Sequence, residues 1–490
     1  MNMQNTQLNK FAASLKKENL DAQTQNLQKE PDTLTRQKKT KKTTQETYAE
    51  HLPDGTILEA LFNPAKKTTH FAIRQNEKIF EAPEFQFEQK LFLPPKANHN
   101  LLTCNFVKLP SQVQPYKDEQ TLMQEIQNFI HTYVEIPADF EKIATYYVLL
   151  SWLYDNFQEL AYLRVIGDYG SGKSRFLNTI GSLCYRPIFA TGSTSAAALF
   201  RIINSVQGTL IFDEADLRFS NTTNETIKIL NSGFSQGTPV LRSEQISKNS
   251  KCFEPVAFNV FCPKIIATRQ DFSDEALESR CLTTAMEVKA RADIQENLNP
   301  DFEKTALELR NKLLHFRLQK ITQKIPVQPL PKMQLEPRLR QILNPLYSVV
   351  ESFQAKQDIL AFARKKQLAM LNLRFNSFAG ELLQTFVQLL TENNREPLLQ
   401  EITERYNLKF AGRYFIKAKK TGAIFEKIFQ LQKKRTAQGF CVPACQQNAI
   451  QLEKLKARYG LENAAVNSVN NIKQKEQIEE VPFESIPSLS

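Results

Sequence analysis

The run Gly167, Asp168, Tyr169, Gly170, Ser171, Gly172, Lys173, Ser174 fits the pattern G-x-x-x-x-G-K-[ST] without departure, and it draws three glycines from a chain that has only 14. Bare backbone at this density suits one chemistry in particular. Peptide N–H groups can close around phosphate oxygens only where no Cβ blocks the required φ values and the close approach. Lys173 is then placed to neutralise the β and γ phosphates and Ser174 to offer its hydroxyl to Mg²⁺. The helix that begins here, with Arg175 in its first turn, adds unpaired N–H groups and positive dipole. Further on, "TLIFDEAD" ends an apolar run at Asp213 and Glu214. A strand-end carboxylate such as Asp213 can hold a Mg²⁺ that bridges phosphates, and the next one, Glu214, can orient or activate a water. The plain alternatives are a flexible glycine turn and a solvated acidic turn.

The segments around these residues decide between the readings. "AYLRVIG" is an apolar strand leading into the loop, and "SRFLNTIGSLC" is an amphipathic helix leaving it. "RPIFAT", "SAAALFRIINS" and "GTLIFDEAD" continue the alternation, so 160–290 is expected to be an α/β domain with a mainly parallel sheet. Upstream, "EQTLMQEIQNFIHTYVEI" and "PADFEKIATYYVLLSWLYDNF" have helical spacing and make 119–159 a helical linker. Residues 51–118 read as a small β-rich module, and 1–50, polar and nearly free of large apolar side chains, as a disordered tail. After 290 the pattern is helical to 380, a basic mixed segment occupies 381–460, and 461–490 reads as a second disordered tail.

With 41% hydrophobic residues in 490, the chain can bury cores for two or three domains. Seven cysteines without a C-x-x-C pair and five scattered histidines signal neither a disulfide framework nor a metal cluster beyond bound Mg²⁺. The longest apolar run, "IATYYVLLSWLY", is too short for a bilayer and the polar N-terminus lacks a signal segment, so a cytoplasmic protein without membrane contact is expected.

Four blocks, "GDYGSGKS", "ATGSTSAAALFRII", "TLIFDEAD" and "CPKIIATRQDFSDEALESRC", resemble an AAA+ P-loop ATPase of the helicase-like kind found in phage and plasmid replication modules and in a widespread bacterial family of uncharacterised ATPases. The resemblance implies ATP with Mg²⁺ and a homo-oligomeric ring such as a hexamer. It also implies a polar sensor at Thr268 and, in "DEALESR", an arginine finger at Arg280 acting on the neighbouring subunit. A strand-forming Thr, and an Arg that caps carbonyls or pairs with Glu278, are the structural alternatives. "QISKNSKCFEPVAFNVFC" reads as a β-hairpin before the sensor strand, a feature of the AAA+ branch that includes superfamily 3 helicases and MCM proteins, where it projects into the ring pore. By that similarity Lys248 and Lys251 track a DNA backbone; otherwise they keep a hairpin tip soluble. The helices of 291–380 would supply the lid, with Arg338 or Arg340 as a second sensor or merely a solvated helix start. The spelling Asp-Glu-Ala-Asp at 213–216 matches DEAD-box RNA helicases, but no arginine-rich HRxGR motif accompanies it and the match is coincidental.

The formal charge of +11 is concentrated. Between Arg405 and Arg435 ten Lys and Arg face one acid, Glu426, for 10 − 1 = +9. Helix, helix and a strand pair turning at "RTAQGF" give a winged-helix order, with "KAKKTGAIFEKIF" as recognition helix and "QKKRTAQGF" as wing. Lys419, Lys420, Lys433, Lys434 and Arg435 are the candidate phosphate contacts to single-stranded or duplex DNA, the alternative being a protein-binding winged helix. The expected fold class is therefore α/β: a P-loop core, a helical lid, a C-terminal winged helix and a small N-terminal β-rich module. The expected function is a DNA-acting, ring-forming ATPase and helicase of a mobile-element or replication module. An ATP-switched loader without unwinding activity and a nucleotide-gated signalling or defence protein are the other classes.

Overall fold

The computed structural model describes residues 43–213, 221–245, 252–287, 291–323, 325–393, 395–410 and 415–461. Glu214, Lys248, Lys251 and Arg413, with most of the two expected tails, lie outside the described residues.

Seven strands open the described chain: β1 (Thr43–Glu46), β2 (Ala49–His51), β3 (Ile57–Asn63), β4 (Thr68–Gln75), β5 (Lys78–Ala82), β6 (Phe85–Phe87) and β7 (Lys90–Leu93). Residues 43–46 and 49–50, expected at the end of a tail, belong to strands, because backbone pairing needs no apolar side chains: Thr43 N donates to the Gln89 carbonyl at 3.1 Å. One compact unit, whose described residues are 43–45 and Phe85–Phe92, holds the sheet of order β1-β7-β6. The other unit carries everything else described. It begins with the antiparallel meander β2-β3-β4-β5, in which β3 buries Ile57, Leu58, Ala60 and Leu61. Strands stop at Leu93, short of the expected limit of 118. The stretch beyond forms a single helical turn, α1 (Asn100–Thr103), and then runs along another sheet, where Val107 bridges Ile188. That pairing covers a strand edge that would otherwise present free N–H and C=O groups.

Helix α2 (Glu119–Tyr133) starts at Asp118, whose side chain accepts from Thr121 N at 2.7 Å. Helix α3 (Ala138–Trp152) is apolar nearly all round and buries Ile143, Tyr147, Leu149 and Trp152. Tyr147 Oη donates to the Lys264 and Ala161 carbonyls at 2.9 and 3.0 Å, tying α3 to the central sheet.

That sheet alternates with helices along the chain: β8 (Tyr162–Ile166), α4 (Lys173–Gly181), β9 (Ile188–Thr191), α5 (Ala196–Val206), β10 (Leu210–Asp213), α6 (Asn221–Ser232), the ribbon β11 (Val240–Gln245) and β12 (Phe253–Phe258), β13 (Lys264–Thr268), α7 (Glu275–Glu278) and β14 (Cys281–Ala285). Its five parallel strands lie in the order β14-β8-β13-β10-β9. The near-continuous apolar runs of β8, β10 and β13 follow from burial on both faces. Helices then dominate: α8 (Asp301–Lys320), α9 (Pro337–Val349), α10 (Phe353–Phe375), α11 (Phe378–Asn393), α12 (Leu399–Lys409) and α13 (Ala418–Lys427), followed by the hairpin β15 (Lys434–Thr436) and β16 (Gly439–Cys441) and by α14 (Gln446–Tyr459). No helix among the described residues is long and apolar enough to cross a membrane.

A buried charge network ties the N-terminal meander to the helices. Arg317 of α8 donates from Nε to Glu59 of β3 at 2.7 Å and from Nη2 to Asp155 at 2.7 Å, with its side chain only 1% exposed. Tyr185 Oη donates to both Glu59 oxygens at 2.8 and 2.9 Å. Removing one partner strands the others in a low-dielectric interior. Arg317→Ala is therefore expected to cost about 3–5 kcal/mol, read as a fall in the urea midpoint, while nucleotide affinity of the remaining folded protein is retained.

Candidate nucleotide site

The parallel registers bring the carboxyl ends of three strands together. Thr268 sits opposite Ile166 and Ala267 opposite Asp213, so the loop after β8 and the ends of β13 and β10 open onto one crevice. Gly170 and Gly172 have φ of 75° and 89°, the left-handed region. Gly167 is constrained differently: a Cβ there would lie 2.4 Å from Ser171 Oγ and 2.7 Å from the Met286 carbonyl. The loop thus requires glycine at each of the three positions, for conformation at two and for space at one. Gly172 precedes α4 without a side chain to cap its first N–H groups, which leaves them to an anion.

Lys173 Nζ donates to the carbonyls of Gly167 and Asp168 at 2.7 and 2.6 Å, folded back over the loop it belongs to. Burial lowers its ammonium pKa, against the pull of Asp213, and the nearby Arg269 lowers it further. Ser174 Oγ donates to Asp213 Oδ2 at 2.8 Å. A hydroxyl from the start of α4 and a carboxylate from the end of β10, joined at this distance beside the glycine loop, form a donor set that fits Mg²⁺. Ser171 Oγ donates to the Asp168 carbonyl at 2.8 Å and holds the loop's bend. Arg175 donates to the Glu296 carbonyl, fastening the start of α4 to the segment that follows β14. Tyr169 projects outward, 75% exposed. Thr268 is buried and its Oγ1 has no hydrogen-bond partner among the described residues.

Beside the loop lies a cavity of about 240 Å³ lined by Val134, Gly170, Gly172, Arg175, Met286 and Ile294, among others. Its apolar lining comes from three distant stretches of chain, and no motif in the sequence points to it.

Arg280 lies elsewhere. Tyr162 N, at the start of β8, donates to the Arg280 carbonyl at 2.9 Å, whereas the glycine loop follows the other end of that strand. Five residues of strand separate them, roughly 17 Å at about 3.3 Å per residue. The pairing with Glu278 that local spacing allows is not made. Buried Arg164 takes Glu278, together with Asp271 at 3.1 Å. Arg280 instead donates to Asn231, stacks 4.9 Å from the Phe234 ring, and leaves Nε buried without a partner. Burial lowers its pKa, with the cation of Arg338 acting in the same direction. Arg338 covers Phe234 at 5.2 Å, and Arg340 donates to the carbonyls of Leu330, Pro331 and Met333. Both second-sensor candidates therefore have contacts away from the glycine loop, Arg338 beside Arg280 and Arg340 on its own preceding segment.

In the C-terminal part, α12, α13, the hairpin β15–β16 and α14 surround Phe386, Tyr406, Phe425, Phe429 and Leu455, and Leu398 bridges Cys441 as a third short strand contact. Lys419, Lys420, Lys434 and Arg435 are exposed. Lys433 differs, since its ammonium pairs with Glu426 at 2.7 Å and is partly covered.

Compared with known proteins, the chain matches no family profile and no curated relative. Among solved structures, the apo C-terminal region of NrS-1 is similar over 78% of this chain and 95% of that one, at 12% identity and a TM-score of 0.36. The SCCmec type IV Cch helicase is similar over 84% and 80%, at 11% identity and 0.40. The JCV helicase is similar over 56% and 66%, at 13% identity and 0.23. Likenesses this loose leave the functional reading to the site's own geometry.

Proposed function

We propose that this chain is a Mg-ATP-hydrolysing AAA+ ATPase that acts on DNA, a ring-forming helicase or translocase of a mobile-element or replication module. The observation that carries the reading is the Ser174–Asp213 hydrogen bond of 2.8 Å beside a loop that needs glycine at 167, 170 and 172. Ser174 and Asp213 would hold Mg²⁺, which would supply positive charge against the charge that develops on the transferring phosphate. The chain's own residues do the rest. Lys173 exchanges two loop carbonyls for phosphate oxygens, the N–H groups at the start of α4 bind the same chain of phosphates, and the cavity between Val134, Met286 and Ile294 seats the base. Glu214, next after Asp213, orients the attacking water.

Strand β13, inserted between the loop strand and the acid strand, supports Thr268 as the polar sensor, since it carries that buried hydroxyl between Ile166 and Asp213. Arg280 is too far from its own loop to touch the phosphates bound there, which supports a role toward a neighbouring subunit. The lid is assigned to α8–α10 and a winged helix to α11–α14, with Lys248 and Lys251 as pore contacts.

ATPase rate with and without single-stranded and duplex DNA, alongside mass in solution, tests the proposal. Turnover indifferent to DNA would refute it; stimulation by DNA without strand displacement would point to a loader. For the basic surface, replacing Lys419, Lys420, Lys434 and Arg435 by Ala is expected to weaken DNA binding whatever the sequence. It should flatten the slope of log affinity against log salt by roughly 3 to 4 for duplex, at about 0.9 per phosphate contact. Lys433→Ala alone should change the slope least, because Glu426 already neutralises it.

A further inference from the structure

Arg364, Gln367, Leu368, Leu371 and Arg374 follow one another along α10 at helical spacing, so one stripe carries two leucines with a cation at either end. The stripe is a wall of a cavity of about 880 Å³, completed by the segment before α9 and by the end of α14. Met333, Leu335, Leu368 and Leu371 are its apolar lining, and Leu368 is 58% exposed. Charge in the cavity is unbalanced. Glu336, the one acid lining it among the described residues, is already engaged: its carboxylate accepts from both Nη atoms of Arg374, at 3.0 Å from Nη2, and its backbone N–H donates to Gln367 at 2.8 Å. Burial lowers the pKa of Arg374 and the charge of Arg458 acts in the same direction, so these two cations stand close together. Arg364 and Arg458 are exposed and have no hydrogen-bond or ion-pair partner among the described residues. Open guanidiniums beside uncovered apolar side chains fit an acidic segment that also carries apolar residues.

The chain itself supplies such a segment. Gly460, whose φ of 71° turns the backbone out of α14, lines the same cavity and lies against Leu371, and the described residues stop one position later. In a chain of net charge +11, residues 476–489, "EQIEEVPFESIPSL", hold four glutamates (Glu476, Glu479, Glu480 and Glu484) and no Lys or Arg, with Ile478, Val481, Phe483 and Ile486 among them. Residues 462–475 connect this stretch to Leu461 and can span at most about 50 Å, ample for a cavity that begins at Gly460. Connection by a short linker also raises the effective concentration of the segment to the order of millimolar. We propose that the cavity between α10, α14 and the segment before α9 is the docking site of residues 476–489 of the same chain, whose glutamates pair with Arg364 and Arg458 while Phe483 enters between Met333, Leu368 and Leu371. The docked segment fastens the residues before α9 to the end of α14. The inference stands apart from the glycine loop and does not depend on nucleotide binding.

Photo-crosslinking in the full chain tests it, with p-benzoylphenylalanine in place of Phe483 and the adducts mapped by mass spectrometry. Adducts are expected on Met333, Leu368 or Leu371. Arg364→Glu combined with Arg458→Glu should cut their yield by about tenfold, because two attractive pairs become repulsive. Adding Glu479→Lys and Glu480→Lys to that variant should restore the yield, which a merely structural role of the arginines would not do. Both arginines are exposed and unpartnered among the described residues, so a thermal melt should stay as in the parent. A mixture of ¹⁵N-labelled and unlabelled protein identifies the donor of the segment: adducts within one chain support the proposal. Adducts joining a labelled to an unlabelled chain would overturn it and give the cavity to a second copy. Adducts elsewhere, or a yield indifferent to both charge changes, would overturn it as well.

Discussion

Lys173→Ala is expected to abolish ATP binding, with an affinity loss of at least about 3 kcal/mol, on the order of a hundredfold or more. Lys173 Nζ now holds the carbonyls of Gly167 and Asp168, so the ammonium already sits where the loop's N–H groups will face phosphate. Alanine removes that charge and opens no alternative donor. Folding should be spared, because the lysine's hydrogen-bond partners among the described residues are two loop carbonyls that water can satisfy. Calorimetric titration with ATP and Mg²⁺, set beside a thermal melt, checks both halves. Glu214→Gln is the companion variant: it should bind ATP as the parent does and retain it unhydrolysed. Parental turnover in Glu214→Gln would remove that residue from the mechanism.

Arg280→Ala should leave ATP affinity within a few-fold and lower turnover by roughly 10³–10⁵, the range for an arginine that stabilises transferring phosphate. The size of the effect depends on where the residue lies. Arg280 is held by Asn231 and Phe234 near the start of β8, away from its own glycine loop, so under the proposed function the site it serves lies on another copy of the chain. Mixing Arg280→Ala with Lys173→Ala should therefore restore part of the activity, because some interfaces then pair an intact arginine with an intact loop. A mixture as inactive as either parent would argue against the shared site. Because Arg338 also lies over the Phe234 ring, Arg338→Ala should lower turnover in the same mixing format rather than weaken ATP binding.

Much of the site was legible in the sequence because its chemistry is local. A strand, a glycine loop and a helix occupy one continuous stretch, and three of those glycines answer to backbone φ or to the space for a single Cβ. Asp213 announces itself as the acid at the end of an apolar run. Strand β12 falls within the expected hairpin of 245–262, whereas its partner β11 (Val240–Gln245) draws nearly all its length from the residues before it; the order of helices and hairpin after Leu399 follows from periodicity and turn residues.

Partnerships across the chain were decided by the tertiary structure alone. Glu278 lies two residues from Arg280 yet goes to Arg164, which β8 carries into the interior, where a buried guanidinium must be neutralised. The cavity beside the loop draws Val134, Met286 and Ile294 from three separate segments. Arg269 meets Tyr169 only because β13 enters the sheet between β8 and β10. Residues 43–46 and 49–50, polar enough to read as a tail, become strands through backbone bonds that no side-chain pattern encodes. Amino-acid order by itself determined the glycine loop and the acid at the end of an apolar strand, because both follow from short-range backbone geometry. Which side chains surround them was set by strand order and register, since hydrogen bonds between distant segments form only once the sheet has assembled.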